Sequence, residues 1–190
     1  MIGSHNTFSY LPTRNILKRW GRCQEVDYIT QYYLGIRFFD VRIKFCKDGE
    51  LQIVHNNITY KDGHNQLNRF LAFADKAGDC YIRLILDIRK KPKDAEARLD
   101  LFKKRIKYIE GWFPHIKIAE AIVYWDWSYI VEPTLKITEN HASVTNNVGI
   151  FKTPRMYAKQ NNAKILSDNK EIFDSENESE VLLIDFVNLK

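Results

Sequence analysis

The sequence predicts an α/β fold with a mainly parallel β-sheet. Two segments, 36–45 and 181–187, are apolar on both faces, which is typical of strands covered on both sides of a parallel sheet. Between such strands lie segments whose apolar residues follow helical spacing. In the first half of the chain the order is strand, helix, strand, strand, helix, strand, helix, and this order favours the same fold class.

The first predicted elements are a short strand at 2–4, a helix and a pair of strands. In EVDYITQYYLG, the spacing of Val26, Ile29 and Tyr33 predicts a helix that stops at Gly35. IRFFDVRIKF is then a buried strand, and LQIVHN, after the turn KDGE, is a short strand that ends at His55.

Two helices flank the next predicted strand. QLNRFLAFADKAG is amphipathic and closes at Gly78, with its apolar side formed by Leu67, Phe70, Leu71 and Ala74. YIRLILDIRKK repeats the apolar strand pattern. A basic helix follows Pro92 and runs to about Tyr108, and its inner stripe is Leu99, Phe102, Ile106 and Ile109.

The second half has weaker patterns. Residues 117–124 and VLLIDFV predict strands, residues 162–166 are expected to form a short strand, and 143–151 are ambiguous between structures. DNKEIFDSENESE is acidic and polar, which predicts a solvated loop with at most one helical turn.

Length and charge limit the possible classes of protein. The 190 residues suit one domain, 1–190, and the net charge of +5 suits an anionic partner such as a phosphate or an acidic membrane surface. No nucleic-acid-binding signature is present, so no nucleic-acid partner is expected. We expect the chain to be a monomer. Three cysteines without CxxC spacing predict buried thiols. Without an apolar run long enough for a membrane span or room for a signal peptide ahead of His5, we expect a soluble chain.

Polar residues cluster at or near the ends of the predicted strands. Asp40 and Arg42 share one strand face, as do Asp87 and Arg89, because successive side chains alternate. Each couple could be a structural ion pair, and GSHN at 3–6 could be an ordinary turn. Taken together, the set describes a polar mouth suited to proton transfer around a phosphate; it consists of His5, Asn6, Asp40, Arg42, His55, Asp87, Arg89 and Asp185.

Several of these segments resemble the X domain of phosphatidylinositol-specific phospholipase C. SHNTF is similar to that family's first-histidine motif, GIRFFDVRI to its second-strand motif, and LQIVHN to its second-histidine segment, while LILDIRKK is similar to the next strand. The resemblance covers about the first half of the chain. It implies an irregular, compact TIM-type (β/α)8 barrel that cleaves phosphatidylinositol, or a related inositol phosphodiester, and can associate transiently with a membrane surface.

The resemblance also implies a role for each residue. His5 would take the proton of the inositol 2-hydroxyl, and His55 would protonate the departing diacylglycerol oxygen, giving inositol 1,2-cyclic phosphate. Asp185 is expected to orient His5, and Asp40 is the carboxylate available to support His55. Arg42 would stabilise the phosphate, and substrate binding is expected from Asn6, Asp87 and Arg89.

Arginines at two positions bear on metal use. Eukaryotic members hold calcium with carboxylates, whereas bacterial members place an arginine at the position that resembles Arg42. A guanidinium there and at Arg89 would repel a divalent cation, so the resemblance implies the bacterial, calcium-independent type with no metal or cofactor. Asn6 departs from this pattern, since bacterial members have aspartate beside the first histidine.

Other readings stay open at the level of sequence. A glycerophosphodiesterase-like, metal-dependent enzyme is one alternative, although its H-R-G and E-x-D motifs are replaced by H-N-T and D-x-R. A barrel that binds without turnover is another. His64, His115 and His141 are expected on the surface or as caps. YWDWSY could form a partly buried aromatic cluster or a shelf for a sugar ring.

Overall fold

A computed structural model of the chain describes residues 1–142, 153–174 and 179–189. The strands are β1 (Ile2–Ser4), β2 (Phe38–Phe45), β3 (Leu51–His55), β4 (Ile58–Thr59), β5 (Tyr81–Leu86), β6 (Lys117–Val123), β7 (Ser128–Val131), β8 (Lys136–Asn140) and β9 (Glu180–Ile184). The helices are α1 (Lys18–Gly21), α2 (Tyr28–Tyr33), α3 (Gly63–Ala77), α4 (Ala95–Trp112), α5 (Pro154–Asp168) and α6 (Lys170–Asp174), and Val187–Leu189 form a 3-10 helix.

The strands form a curled sheet in the order β7-β6-β5-β2-β1-β9-β8. The six strands from β6 to β8 along this order are parallel to their neighbours, whereas β7 is antiparallel to β6. β3 leaves the main path by pairing antiparallel with β2. Because β1 pairs with β9, the first and last strands lie side by side, and the predicted α/β class is confirmed.

The two faces of this sheet have different partners. Phe39 and Leu182 face the large core beneath the helices, whereas Phe38, Val181 and Leu183 form a smaller apolar cluster on the concave face. Since side chains alternate along a strand, the residues that follow at intervals of two, Asp40 after Phe38 and Asp185 after Leu183, continue the concave face toward the strand ends. The concave side is therefore apolar at its base and polar at its mouth.

Gly3 allows β1 to pack closely against its two neighbouring strands. A Cβ atom at Gly3 would lie 2.9 Å from both Phe38 Cδ1 and Val181 Cγ1, closer than carbon atoms pack. Its missing side chain lets β1 fit between β2 and β9 and places His5, two residues on, at the mouth.

Two sequence expectations need correction. In α2, Ile29 and Tyr33 are exposed and the buried side is Tyr28 and Gln31, because the Gln31 amide donates to the backbone carbonyls of Thr7 and Val26. Residues 162–166 are part of α5, which begins with Pro154 at its first position and the Thr153 side chain as its N-cap. The apolar residues of α5 form no clear stripe, so the sequence pattern does not predict a helix there.

Other expectations are confirmed. Phe102, Ile106 and Ile109 are the buried side of α4, with Leu99 partly buried, and α3 ends at Gly78 in the left-handed conformation. Cys23 and Cys80 are buried free thiols, and Cys46 is partly buried. The acidic stretch 168–180 includes the last residue of α5, the five-residue α6 and the first residue of β9, so its described part is more helical than expected. Its residues 175–178 and the ambiguous segment 143–151 lie outside the described residues. Within the described ranges, every helix is too short or too polar to cross a bilayer.

Candidate active site

His5 lies just after β1 and is bound to Asp185, just after β9. The two strands are paired in register, so their ends put the imidazole and the carboxylate side by side. His5 Nδ1 is 2.7 Å from Asp185 Oδ1, while the backbone N–H of Ala142 donates to Oδ2 at 3.1 Å. Because a carboxylate only accepts, His5 carries its proton on Nδ1 and presents the lone pair of Nε2 to the mouth.

His55 ends β3 and approaches the same point from the other side. Its Nδ1 lies 2.9 Å from the backbone carbonyl oxygen of Gly21, which fixes the proton on Nδ1 in the same way. The two imidazole rings are nearly perpendicular, with centroids 6.4 Å apart, and both are buried. The distant motifs SHNTF and LQIVHN are therefore brought together.

Asn6 stands between the two histidines. Its Nδ2 lies 3.1 Å from His5 Nε2 and 3.1 Å from His55 Nε2, so its two amide hydrogens match the two ring lone pairs. Asn6 has φ 48°, a left-handed conformation that asparagine tolerates, and its backbone N–H donates to Asp40 Oδ2 at 3.0 Å. This turn is what aims the amide at both rings.

Arg42 places a guanidinium against the first histidine. Its Nη2 is 3.1 Å from His5 Nε2, and its Nε is 3.6 Å from Asp40 Oδ2. Asp40 is fully buried and also lies 3.9 Å from Arg83 Nε. The expectation that Asp40 supports His55 is wrong, because the backbone carbonyl of Gly21 does so, and Asp40 instead holds the turn at Asn6 and pairs with two arginines.

Asp87 and Arg89 contact the turn that follows His55, and among the described residues neither forms a hydrogen bond with a histidine ring. Asp87 Oδ2 accepts the backbone N–H of Asn56 at 2.7 Å, and Arg89 Nε donates to Asn56 Oδ1 at 3.2 Å. They thus brace the turn after His55. Asp87 Oδ1 is buried and has no hydrogen-bond partner among the described residues. Both residues line a cavity of about 420 Å³, together with Lys44, Asn56, Asn57 and Arg98.

Four buried or partly buried residues of the site were not found from the sequence. Arg83 pairs with Glu120 and with Glu139, at 2.5 Å in each case, and Glu139 Oε2 lies 3.2 Å from His141 Nε2. Arg83 is a charge inside an apolar strand, the same signal that singled out Arg42. Glu139 and His141 gave no such signal, because KITEN is too polar to be recognised as a strand that lines the site.

His141 is the largest departure from expectation. It was expected on the surface, yet it is 3% exposed and stacks on His5 with ring centroids 3.6 Å apart and planes 6° from parallel. His64 is partly exposed and the side chain of His115 is 70% exposed, in agreement with the prediction for those two.

Burial sets the charge states of the two central imidazoles. Burial, with the neighbouring His141 and Arg42, lowers the pKa of His5 well below its usual value. Burial and then Arg42 lower the pKa of His55 to about 4. For Asp40 burial would raise the pKa, but Arg42 and Arg83 together hold it below its usual value. Near neutral pH the free site therefore holds two neutral imidazoles and an ionised Asp40.

One group has the ligand types that a metal ion requires. His5, His141 and Asp185 each offer a ligand atom within 4.8 Å of the others. However, ring lone pairs lie in the ring planes, and the two stacked rings are parallel, so their lone pairs do not converge on one point. The Asp185 oxygen is also already bonded to His5 Nδ1, and the Arg42 guanidinium lies beside the group. The arrangement fits proton transfer better than coordination.

Known proteins are similar to this chain in sequence and in fold. The chain is 35% identical over 147 residues to a 1-phosphatidylinositol phosphodiesterase of Staphylococcus aureus strain Newman, a match covering 77% of this chain and 45% of that protein. The protein of the same name from strain NCTC 8325 matches equally, with 43% covered. The chain thus spans less than half the length of these curated relatives. No family model matches it.

Solved structures agree in fold. The phosphatidylinositol-specific phospholipase C of Listeria monocytogenes has a TM-score of 0.65 and 16% identity, over 98% of this chain and 87% of that one. With the sequence relatives, this confirms the resemblance to the bacterial type of that family and the barrel-type fold that it implied.

Proposed function

We propose that the chain is a phosphodiester lyase that cleaves phosphatidylinositol, or a related inositol phosphodiester, to diacylglycerol and inositol 1,2-cyclic phosphate. The observation that carries this proposal is that His5 and His55, each held by a hydrogen bond at Nδ1, direct their Nε2 atoms to one point beside the Arg42 guanidinium. The names of the curated relatives and the shared fold support the same assignment. His5 and Asp185 come from opposite ends of the chain, and we propose that residues 1–190 form a single domain that acts as a monomer.

His5 is the general base of this proposal. Its Nε2 lone pair accepts the proton of the inositol 2-hydroxyl as that oxygen forms its bond to phosphorus. The charge that results on the imidazole is stabilised by Asp185 at Nδ1, without transfer of the proton to the carboxylate. The Asn6 amide and the Arg42 guanidinium, which both contact Nε2 in the free site, give way to the substrate hydroxyl.

His55 is the general acid. As the bond from phosphorus to the glycerol oxygen breaks, His55 Nε2 gives its proton to that oxygen. The low pKa of His55 means that the free site rarely holds this proton, because Arg42 and burial both disfavour it. The negative charge of a bound phosphodiester opposes both effects, so substrate binding itself charges the acid.

Arg42 is the group that stabilises the phosphorane. Its guanidinium touches His5 Nε2 in the free site, so a phosphate at that point lies within its reach. A divalent cation in the same place would face this fixed positive charge, which supports catalysis without a metal ion. Asp87 supplies a buried acceptor, Oδ1, for a hydroxyl of the headgroup, and Arg89 a donor at the cavity beside it.

A membrane contact fits the segment next to His55. Ile16 is 88% exposed and Leu17 50% exposed, immediately before the cationic Lys18 and Arg19 of α1. Apolar side chains beside cations suit an anionic lipid surface. Since the carbonyl of Gly21, at the end of α1, holds His55, docking there brings the lipid to the acid.

The experiment is incubation of the chain with phosphatidylinositol and EDTA, with products followed by phosphorus NMR. We expect cyclic inositol phosphate at an undiminished rate with the chelator, and its loss in His5→Ala and in His55→Ala. The exposed His115→Ala is the control and should retain full activity. A rate that requires added metal would favour the glycerophosphodiesterase-like alternative, and the absence of product would favour a non-catalytic barrel.

A further inference from the structure

The face of His5 is covered by a second histidine that the proposed reaction does not use. His141 follows β8 directly, and β8 pairs with β9 up to Asn140 and Ile184, so His141 and Asp185 are adjacent by register. The two rings stack at 3.6 Å with almost parallel planes. The contact is therefore built by the sheet and does not depend on a flexible loop meeting the site.

The His141 ring is itself held at its edge. Glu139 Oε2 lies 3.2 Å from His141 Nε2, and the other oxygen of Glu139 pairs with the buried Arg83 at 2.5 Å. The backbone N–H of Ala142, the next residue, donates to Asp185 Oδ2. One segment, 139–142, thus fixes both the covering ring and the carboxylate that bonds His5.

We propose that His141 is a positioning residue whose flat ring holds the imidazole plane of His5, keeping Nδ1 on Asp185 and aiming Nε2 at the substrate. The hydrogen bond to Asp185 by itself leaves His5 free to rotate about the axis of that bond. The stack removes this freedom on one side, since rotation would drive the His5 ring into the His141 ring. This role in catalysis rests on the proposed function, whereas the effect on His5 itself does not.

Two substitutions at position 141 distinguish the effect of a flat ring from the effect of side-chain volume. His141→Phe keeps a flat ring over His5, whereas His141→Leu has comparable apolar bulk but no plane. We expect His141→Leu to lower kcat by about 10- to 100-fold and to change KM by no more than about twofold. The reason is that a wrongly oriented His5 slows proton removal more than it weakens substrate binding. His141→Phe should stay within about threefold of the parent. The same two substitutions at the exposed His115 are the control and should change neither constant.

A second measurement does not depend on turnover. Long-range proton–nitrogen NMR reports which ring nitrogen of His5 carries the proton. We expect the Nδ1–H form in the parent and in His141→Phe, and a mixture of forms or loss of the resonance in His141→Leu. Thermal unfolding tests whether His141→Leu folds, and if it does not, His141→Met is used in its place.

The outcomes are distinct. An identical His5 spectrum in His141→Phe and in His141→Leu, or a parent without the Nδ1–H form, overturns the positioning role. Equal loss of kcat in both variants also overturns it, because the plane of the ring would then not matter. A parent that releases no cyclic phosphate overturns the proposed function alone, and the NMR comparison still decides the role of His141.

Discussion

Replacing Asp185 with asparagine tests how the tautomer of His5 is set. In the parent, Oδ1 accepts from His5 Nδ1–H at 2.7 Å and Oδ2 accepts from the Ala142 backbone N–H at 3.1 Å. Asparagine has only one oxygen. Since the Ala142 N–H is a fixed donor, the amide oxygen must face it, and the amide NH₂ then faces His5. This arrangement leaves no acceptor for a proton on Nδ1 and favours the tautomer with the proton on Nε2, which displaces the Asn6 and Arg42 donors and in which His5 cannot act as a base.

The magnitude follows from the cost of the active tautomer. To restore it, the asparagine must turn its NH₂ toward Ala142 N–H, leaving two buried donors facing each other. An unsatisfied buried donor costs about 1–3 kcal/mol, so the pair costs roughly 2–6 kcal/mol. Each 1.4 kcal/mol is about tenfold, and kcat should therefore fall at least about 30-fold. Burial also raises the pKa of Asp185, so removing its charge offsets part of this loss and the variant should still fold.

The assay is the release of cyclic inositol phosphate under saturating substrate, with the thermal unfolding midpoint measured alongside. Asp100→Asn, on the exposed side of α4, is the matched control and should leave both unchanged. A kcat for Asp185→Asn within about threefold of the parent, with the fold intact, would refute the account of the tautomer.

Three further outcomes are expected. Arg42→Lys should lower kcat/KM about 100-fold without changing the sensitivity to a chelator, because the lysine ammonium cannot make the planar contact of the guanidinium at His5 Nε2. Stopped-time product assays check this, and a decrease in kcat/KM below fivefold would contradict it. The free energy of unfolding should fall as pH drops from about 6.5 to about 4, because the unfolded chain protonates His55 in this range while the folded chain does not. Urea titrations should show a contribution from this imidazole of up to about 1.4 kcal/mol per pH unit. A pH slope of the unfolding free energy that is no shallower in His55→Gln would contradict the assignment. Gly3→Val should destabilise the fold by about 1–3 kcal/mol through its contacts with Phe38 and Val181, and an unchanged urea midpoint would contradict the close packing described there.

Much of the site was predictable because its residues are polar or charged in segments that are otherwise apolar. Asp40 and Arg42 interrupt an apolar strand, and His5 and His55 follow strands directly, so the cost of burying polar groups marks them as functional. The structure brings both histidines, Asn6, Arg42 and Asp185 to one point. Asp87 and Arg89 instead brace the turn after His55 and line the cavity beside it.

The errors share a different cause. The role given to Asp40 failed because a backbone carbonyl, that of Gly21, satisfies His55, and a backbone group leaves no mark in a sequence. His141 was missed because nothing local distinguishes a histidine in a polar segment from one on the surface. Likewise the sequence does not predict α5, because its apolar residues form no clear stripe and the packing that stabilises it comes from elements far away in the chain.

The sequence by itself determined the class of fold and the chemistry of the central residues, because both depend on local patterns: the apolarity of single strands and the residue types that end them. Only the tertiary structure decided which groups meet. The parallel pairing of β1 with β9 and of β9 with β8 joins residues 5, 141 and 185, and it turns three separated side chains into one stacked, hydrogen-bonded unit. Strand register is a property of pairs of segments, and it is therefore not written in either segment alone.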